Sequence, residues 1–197
     1  IREEHKDDDD VLIALGEIES ELNAKKYGLV WEQHEEAVDL QMRANIPVFT
    51  ECTDKEINSG AGNSYNFILE GDNLHSLRLL EKTHAGRIDF IYIDPPYNTG
   101  NKDFIYDDTY VSADDGYFHS KWLSFMAERL HSAKLLLSDE GIILISIDDT
   151  EYANLKLLCD EIFSERNFMG TFIWKSRQVV DSRNRTHISN DHEYILA

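Results

Sequence analysis

The stretch IDFIYIDPPYNTG, residues 88–100, decides how this chain is read. Ile88, Phe90, Ile91, Tyr92 and Ile93 form a short β-branched and aromatic run. The run is too short for a helix and is stopped by proline, so it reads as a buried strand of a mostly parallel sheet. Pro95 and Pro96 lack N–H donors and cannot continue a strand ladder. The strand therefore ends near Asp94, and Asp94, Pro95, Pro96 and Tyr97 lie just past its carboxyl end. In open α/β sheets that edge is where ligands bind. Two readings stand at this point: a ligand-binding edge, or a strand end followed by a rigid turn.

Working outward, strands and helices alternate. In FILEGDNLHSLRLL (67–80), Phe67 to Leu69 reads as a strand, Gly71-Asp72 as a turn, and Leu74, Leu77, Leu79 and Leu80 as one face of a helix. Residues 98–116 are polar and aromatic and too long for a plain connection; such loops are usually functional or mobile. A helix is expected from Tyr117 to Ser138, with Phe118, Trp122, Phe125, Met126, Leu130 and Ala133 as core, closed by SDEG with Gly141 at its C-terminal cap. GIILISIDD (141–149) reads as a second buried strand ending in carboxylates. Asp149 or Thr150 then caps a helix through Leu158, Phe168 to Trp174 is a strand, and HEYILA (192–197) begins another. This alternation predicts the α/β class.

The amino-terminal part differs. Residues 1–54 read as an acidic helical extension, 55–66 as a Gly/Ser/Asn loop, and 67–197 as the body of the domain. DDDD (7–10) precedes Val11, Leu12, Leu15, Ile18 and Leu22, an apolar stripe at helical spacing. Acids at a helix start suit its dipole, and a solvated face explains them better than a metal does. A second helix is expected from Trp31 to Arg43, broken by Pro47.

The 197 residues allow one domain with an extension. The net charge of −19 argues against contact with nucleic acid, which favours a basic surface. Its distribution changes that argument. Residues 1–40 hold thirteen acids and four bases, whereas Lys175, Arg177, Arg183 and Arg185 give residues 171–190 a net +3. Cys52 and Cys159 show no pairing pattern and read as reduced thiols of a cytoplasmic protein. No apolar stretch approaches membrane-spanning length and no signal peptide opens the chain, so no membrane association is expected. The chain starts at Ile1 and stops inside an apolar run, as a piece of a longer polypeptide would.

Asp72, Asp94 and Asp148 all fall at the expected carboxyl edge of the sheet, where they could bind a ribose, an amine or a metal. The histidines are too scattered to complete a metal site. No G-x-S-x-G elbow, P-loop or G-x-G-x-x-G is present. An exocyclic amine fits what remains. Its lone pair is delocalised into the ring, and acceptors must hold both its protons before it can attack an electrophile. Asp94 supplies a charged acceptor. The Pro95 carbonyl supplies a second, held still by the next proline ring. Tyr97 offers a flat face for a base, a stack worth about 1–3 kcal/mol.

DPPY after an apolar strand resembles the catalytic motif of amino-methylating DNA methyltransferases. FILEGDNLHSL, IDFIYIDPPYNTGNKDFIYDD, GIILISIDD and ISNDHEYIL together resemble the modification subunit of type III restriction–modification systems, in the β class of adenine methylases. The resemblance runs from about residue 26 to the end. It implies a Rossmann-like sheet that binds S-adenosylmethionine, with Asp94, Pro95, Pro96 and Tyr97 as the catalytic motif. Asp94 and the Pro95 carbonyl would bind the target amine and Tyr97 would stack on the flipped adenine of double-stranded DNA. Asp72 matches a position near the cofactor adenine, although a turn or helix cap explains it equally well. Asp148 and Asp149 read as caps.

The family's glycine-rich F-x-G-x-G loop and target-recognition region are absent from these residues. The chain thus resembles the catalytic half of a circularly permuted enzyme. By itself it is expected to bind cofactor weakly, to be inactive, and to leave strand edges unpaired. WKSRQVVDSRNR (174–185) would begin the DNA-facing side through Lys175, Arg177, Arg183 and Arg185. The resemblance further implies a homodimer and a restriction subunit as partners. Two alternatives remain open: methylation of another amine such as N4 of cytosine, and an interaction module whose residues 1–50 bind a partner subunit.

Overall fold

The apolar run 88–93 folds as strand β1 (Ile88–Ile93), and Asp94 is the first residue beyond it. The computed structural model describes residues 11–16, 28–56, 66–106, 109–177 and 190–197. The chain divides into two units, Ile1–Val30 and Trp31–Ala197. In the first, residues 11–16 are helical (α1), inside the expected apolar stripe. The Asp run at 7–10, Ile18 and Leu22 lie outside the described residues. All that follows concerns the second unit.

Its four-stranded sheet has the order β1, β4 (Leu137–Ile147), β6 (Glu193–Leu196), β5 (Thr171–Trp174). β1 and β4 are parallel, whereas β6 is antiparallel to both β4 and β5. The α/β class is as expected, but the sheet is mixed rather than mostly parallel. A short apolar run does not encode the direction of its neighbour. β1 is also an edge strand rather than a buried one. Only β4 pairs with it among the described residues, and Phe90 and Tyr92 are more than half exposed. The strand expected at 67–69 does not form. No described strand lies beside it, and Ile68 is 95% exposed.

Helix α4 (Phe118–Leu136) spans the core. Trp122, Met126 and Leu130 recur every fourth residue and are all but fully buried, as are Leu74, Phe104, Ile145, Leu155 and Leu158. Burying each such side chain contributes about 1.5–3 kcal/mol. Asp115 fixes the start of α4 by accepting from the Tyr117 N–H at 2.8 Å and from Lys121 Nζ at 2.6 Å. The Lys121 hydrogen bond, then the Tyr117 N–H, hold its carboxyl below the ordinary value.

Gly141 does not cap α4. The helix runs directly into β4, and its last carbonyls are taken from elsewhere: Gly86 N–H donates to Leu135 O and Arg87 N–H to Leu136 O. Gly141 is small for another reason. In the β1–β4 ladder Ile88 faces Leu137 and Phe90 faces Ile142, so Ser138 to Gly141 bulge opposite Asp89. A Cβ on Gly141 would lie 2.9 Å from Ile88 O.

The helix expected over Trp31 to Arg43 is shorter: α2 covers only Ala37–Ala44. Residues 31–36 run without helix because α4 anchors them. Trp31 Nε1 and the His34 N–H both donate to Ser124 Oγ, at 3.2 and 3.0 Å. Arg129 donates to both oxygens of Glu36, at 2.6 and 3.1 Å, and to Asn73 Oδ1 at 2.8 Å. Burial nevertheless holds the Glu36 carboxyl above its ordinary value, outweighing Arg129. Tertiary anchoring here overrides local helix propensity.

Residues 98–106 and 109–116 carry buried anchors among exposed positions. Within them β2 (Ile105–Tyr106) and β3 (Thr109–Tyr110) pair antiparallel, Phe104, Tyr106 and Val111 are buried, and Phe104 meets the Phe125 ring edge-on at 5.2 Å. Helix α5 (Tyr152–Cys159) has Glu151, not Asp149 or Thr150, at its N-cap position, with no side-chain cap bond. Asp148 instead caps the preceding turn by accepting from the Thr150 N–H at 2.8 Å. Helix α3 (Asn73–His84) is capped by Asp72, which accepts from the Leu74 N–H at 2.8 Å.

Candidate active site

Parallel pairing puts the carboxyl ends of β1 and β4 at one edge of the sheet. β6 returns antiparallel, with Ile147 opposite Tyr194, and brings its own start to that edge. β5 sets Trp174 opposite Glu193. The result is a cleft of about 230 Å³ lined by Tyr92, Asp94, Tyr97, Ser146, Trp174, Glu193, Tyr194 and Ile195.

Asp94 is exposed and Tyr97 partly buried. The Tyr97 hydroxyl donates to Glu193 Oε2 at 3.2 Å. Burial, then the Asp94 and Glu193 carboxylates, hold the Tyr97 phenol well above its ordinary value. It therefore stays neutral, and a donor, at physiological pH. The Tyr92 and Ser146 hydroxyls share a 2.6 Å hydrogen bond on the same wall.

The two proline carbonyls have different fates. Trp122 Nε1, fully buried, donates to Pro96 O at 2.7 Å. Among the described residues no hydrogen bond takes the Pro95 carbonyl. Past the turn, Asn98 is fully buried with a left-handed backbone, φ 58°. Its amide donates to Glu151 Oε1 at 2.6 Å and to Phe118 O at 3.2 Å.

The expected site residues are only partly brought together. Asp94 and Tyr97 line the cleft, with Pro95 and Pro96 between them. Asp72 caps α3 and is not among the lining residues. Asp148 caps a turn, and burial, ahead of the Thr150 hydrogen bonds, holds its carboxyl above the ordinary value. Lys175 follows Trp174 directly and is exposed; Arg177, also exposed, donates its N–H to Asp191 O. Arg183 and Arg185 lie outside the described residues. Glu193, Trp174 and Tyr194 had no individual signal in the sequence, and Trp122 read only as core, because only long-range strand pairing and packing bring them to this turn.

The site is rich in acceptors: two carboxylates, a backbone carbonyl and hydroxyls. Such a set suits a group that donates N–H bonds or carries positive charge. Among the described residues, no group of three or more His, Cys, Asp or Glu side chains could hold a metal ion, and no helix is long and apolar enough to cross a membrane.

Tyr194 carries a testable consequence. Its hydroxyl donates to Asp149 Oδ1 at 2.6 Å, which, with burial, pushes the phenol up to about 12. Between the ordinary value of 10 and 12, the folded chain keeps a proton that the unfolded chain releases. Stability from this group is complete below pH ~10 and is lost as pH rises toward ~12. Urea unfolding at pH 9 and 11 should show a smaller alkaline loss for Tyr194→Phe than for wild type. An equal loss in both would show that the Asp149 bond does not hold the proton.

A protein-family model described as DNA methylase matches residues 88–197. The Mod subunit of the type III restriction–modification enzyme StyLTI of Salmonella typhimurium is 44% identical over 68% of this chain and 24% of its own. The Mod subunit of the type III enzyme EcoP15I of Escherichia coli is 33% identical over 90% of this chain and 31% of its own. The type II methyltransferase M.KpnI of Klebsiella pneumoniae is 48% identical over 64% of this chain and 30% of its own. The chain thus spans about a quarter to a third of the length of these relatives.

Proposed function

The chain belongs to the DNA methylase family, and from that premise we propose that it forms the amine-binding part of an adenine-specific DNA methyltransferase of a restriction–modification system. The substrate is the N6 amine of an adenine flipped out of double-stranded DNA, and the cofactor is S-adenosylmethionine. One observation carries this reading: among the described residues no hydrogen bond takes the Pro95 carbonyl, which lies beside the exposed Asp94 carboxylate, whereas the Pro96 carbonyl is locked by Trp122. A primary amine on an aromatic ring has two N–H bonds, and the turn offers two adjacent acceptors for them.

The residues then divide the work. Asp94 and the Pro95 carbonyl accept the two amine protons and draw the nitrogen toward tetrahedral geometry, which frees its lone pair. Tyr97 holds the base by stacking, its ring steadied by the hydrogen bond from its hydroxyl to Glu193. The Asp94 and Glu193 carboxylates beside Tyr97 keep the cleft attractive to N–H donors. S-adenosylmethionine, when bound, supplies a sulfonium-borne electrophilic methyl group. Asp94 and the exposed carboxylate of Asp72 are the residues assigned toward it; Asp72 uses one oxygen for its helix cap, and among the described residues no hydrogen bond takes the other. Lys175 and Arg177, with Arg183 and Arg185, are assigned to the DNA backbone. Taking the base out of the duplex is required for it to enter a cleft of this kind.

The relatives named as Mod subunits support a restriction subunit as partner; we assign residues 1–50 to that contact and expect a homodimer of the full-length gene product. N4 of cytosine carries the same two N–H bonds and is the second reading. The test is to incubate the full-length gene product with labelled S-adenosylmethionine and unmethylated DNA, digest, and identify the nucleoside by mass spectrometry. 6-Methyladenine is expected. A methylated cytosine amine would change the base and keep the site, and no labelled nucleoside from a folded, cofactor-binding protein would overturn the reading.

A further inference from the structure

We infer that Glu151 is a positioning residue for the 94–98 turn, acting through Asn98 rather than on any substrate. This rests on the amine-binding reading of that turn, and it explains a costly feature that the fold alone does not need.

Glu151 is fully buried at the start of α5. Its Oε1 accepts from the Asn98 amide at 2.6 Å and meets His119 Nδ1 at 2.7 Å, and its Oε2 accepts from the Asn154 amide at 2.7 Å. No lysine or arginine pairs with it among the described residues. A buried carboxylate without a fixed cation is expensive, and an apolar side chain would fill the same place at less cost. Asn98 adds two more costs: its left-handed backbone, and an Oδ1 atom that is buried with no partner among the described residues. Polar strain of this kind concentrates where geometry must be held for chemistry.

The position of the cluster says what it holds. Tyr97 stands between two anchored neighbours. On one side the Pro96 carbonyl is fixed by Trp122, and on the other the Asn98 side chain is fixed by Glu151 and Phe118 O. With both ends pinned, the Tyr97 ring and the Pro95 carbonyl keep one orientation toward the cleft. A reacting centre displaced by about 1 Å loses on the order of 10²-fold in rate.

Two variants test this in the full-length gene product. Glu151→Gln keeps the volume and turns one acceptor into a donor. Asn98→Gly keeps the left-handed backbone at no steric cost and removes only the anchored side chain. Each should lower kcat by on the order of 10²-fold and leave KM for the methyl donor within about threefold, because the reacting geometry changes and cofactor contacts do not. Hydrogen exchange of the Tyr97 and Asn98 amides should rise at least about tenfold, with exchange along α4 unchanged. The inference is overturned if either folded variant keeps kcat within about threefold of wild type, or if exchange at 97–98 does not change. Should wild type methylate no nucleobase, the function proposal alone falls. The exchange measurement still decides whether Glu151 holds the turn.

Discussion

In the full-length gene product, on the proposed amine-binding reading, Asp94→Ala should lower methyl transfer by about 10³-fold while shifting the melting temperature by no more than about 2 °C. Both halves follow from where Asp94 sits. It is the first residue past β1, it is exposed, and it lines the cleft, so its removal opens no cavity in the core. What it removes, on the proposed reading, is the charged acceptor for one amine proton. The Pro95 carbonyl cannot replace it, since one acceptor cannot hold two divergent N–H bonds. Asp94→Asn should lose less, because the amide oxygen still accepts, as a weaker neutral partner. Single-turnover transfer from labelled S-adenosylmethionine, measured beside a thermal melt, separates the two effects. Wild-type turnover in Asp94→Ala would sink the amine mechanism; a large drop in melting temperature would mean that Asp94 is structural.

Trp122→Ala should destabilise the fold by about 3–5 kcal/mol, and Trp122→Phe by about 1–2 kcal/mol. Trp122 is fully buried in α4 and does two jobs. Its ring fills the core beneath the turn, and its Nε1–H satisfies the Pro96 carbonyl. Alanine loses both and leaves a cavity. Phenylalanine retains most of the volume and strands the carbonyl. Urea midpoints at constant slope measure the difference. Equal losses in the two variants would show that packing is the minor term. The phenylalanine variant should also lower turnover beyond its stability loss, since the freed Pro96 carbonyl no longer fixes the neighbouring acceptor.

Much of this was legible from residues alone, for local reasons. Proline after a β-branched run ends a strand wherever the chain folds, so the place of Asp94 just past β1 was readable. The fourfold spacing of Trp122, Met126 and Leu130 described a buried helix face whatever it packs on. An acid before Asn73-Leu74 suits a helix cap, and Asp72 is one. Readings failed where a distant partner decides. Gly141 looked like a helix cap until Gly86 and Arg87 supplied the last N–H groups of the turn. Residues 31–36 looked helical until Ser124 and Arg129 claimed them. The run 67–69 looked like a strand, but a strand requires a neighbour.

The candidate site divides along the same line. Its chemistry, a carboxylate, a rigid carbonyl and an aromatic face in four consecutive residues, was written in the sequence because covalent neighbours stay neighbours. Its walls were not. Glu193 and Trp174 reach the cleft only because β6 pairs antiparallel with β4 and β5 in one register, and a shift of one residue would turn those side chains to the opposite face. The buried Glu151 beneath the turn follows from the packing of α5 and α4 against residue 98. Sequence determined which atoms the amine-binding proposal calls on; tertiary structure decided that the Pro96 carbonyl is taken while no hydrogen bond among the described residues takes that of Pro95, because the bond to Pro96 comes from a helix twenty-six residues away.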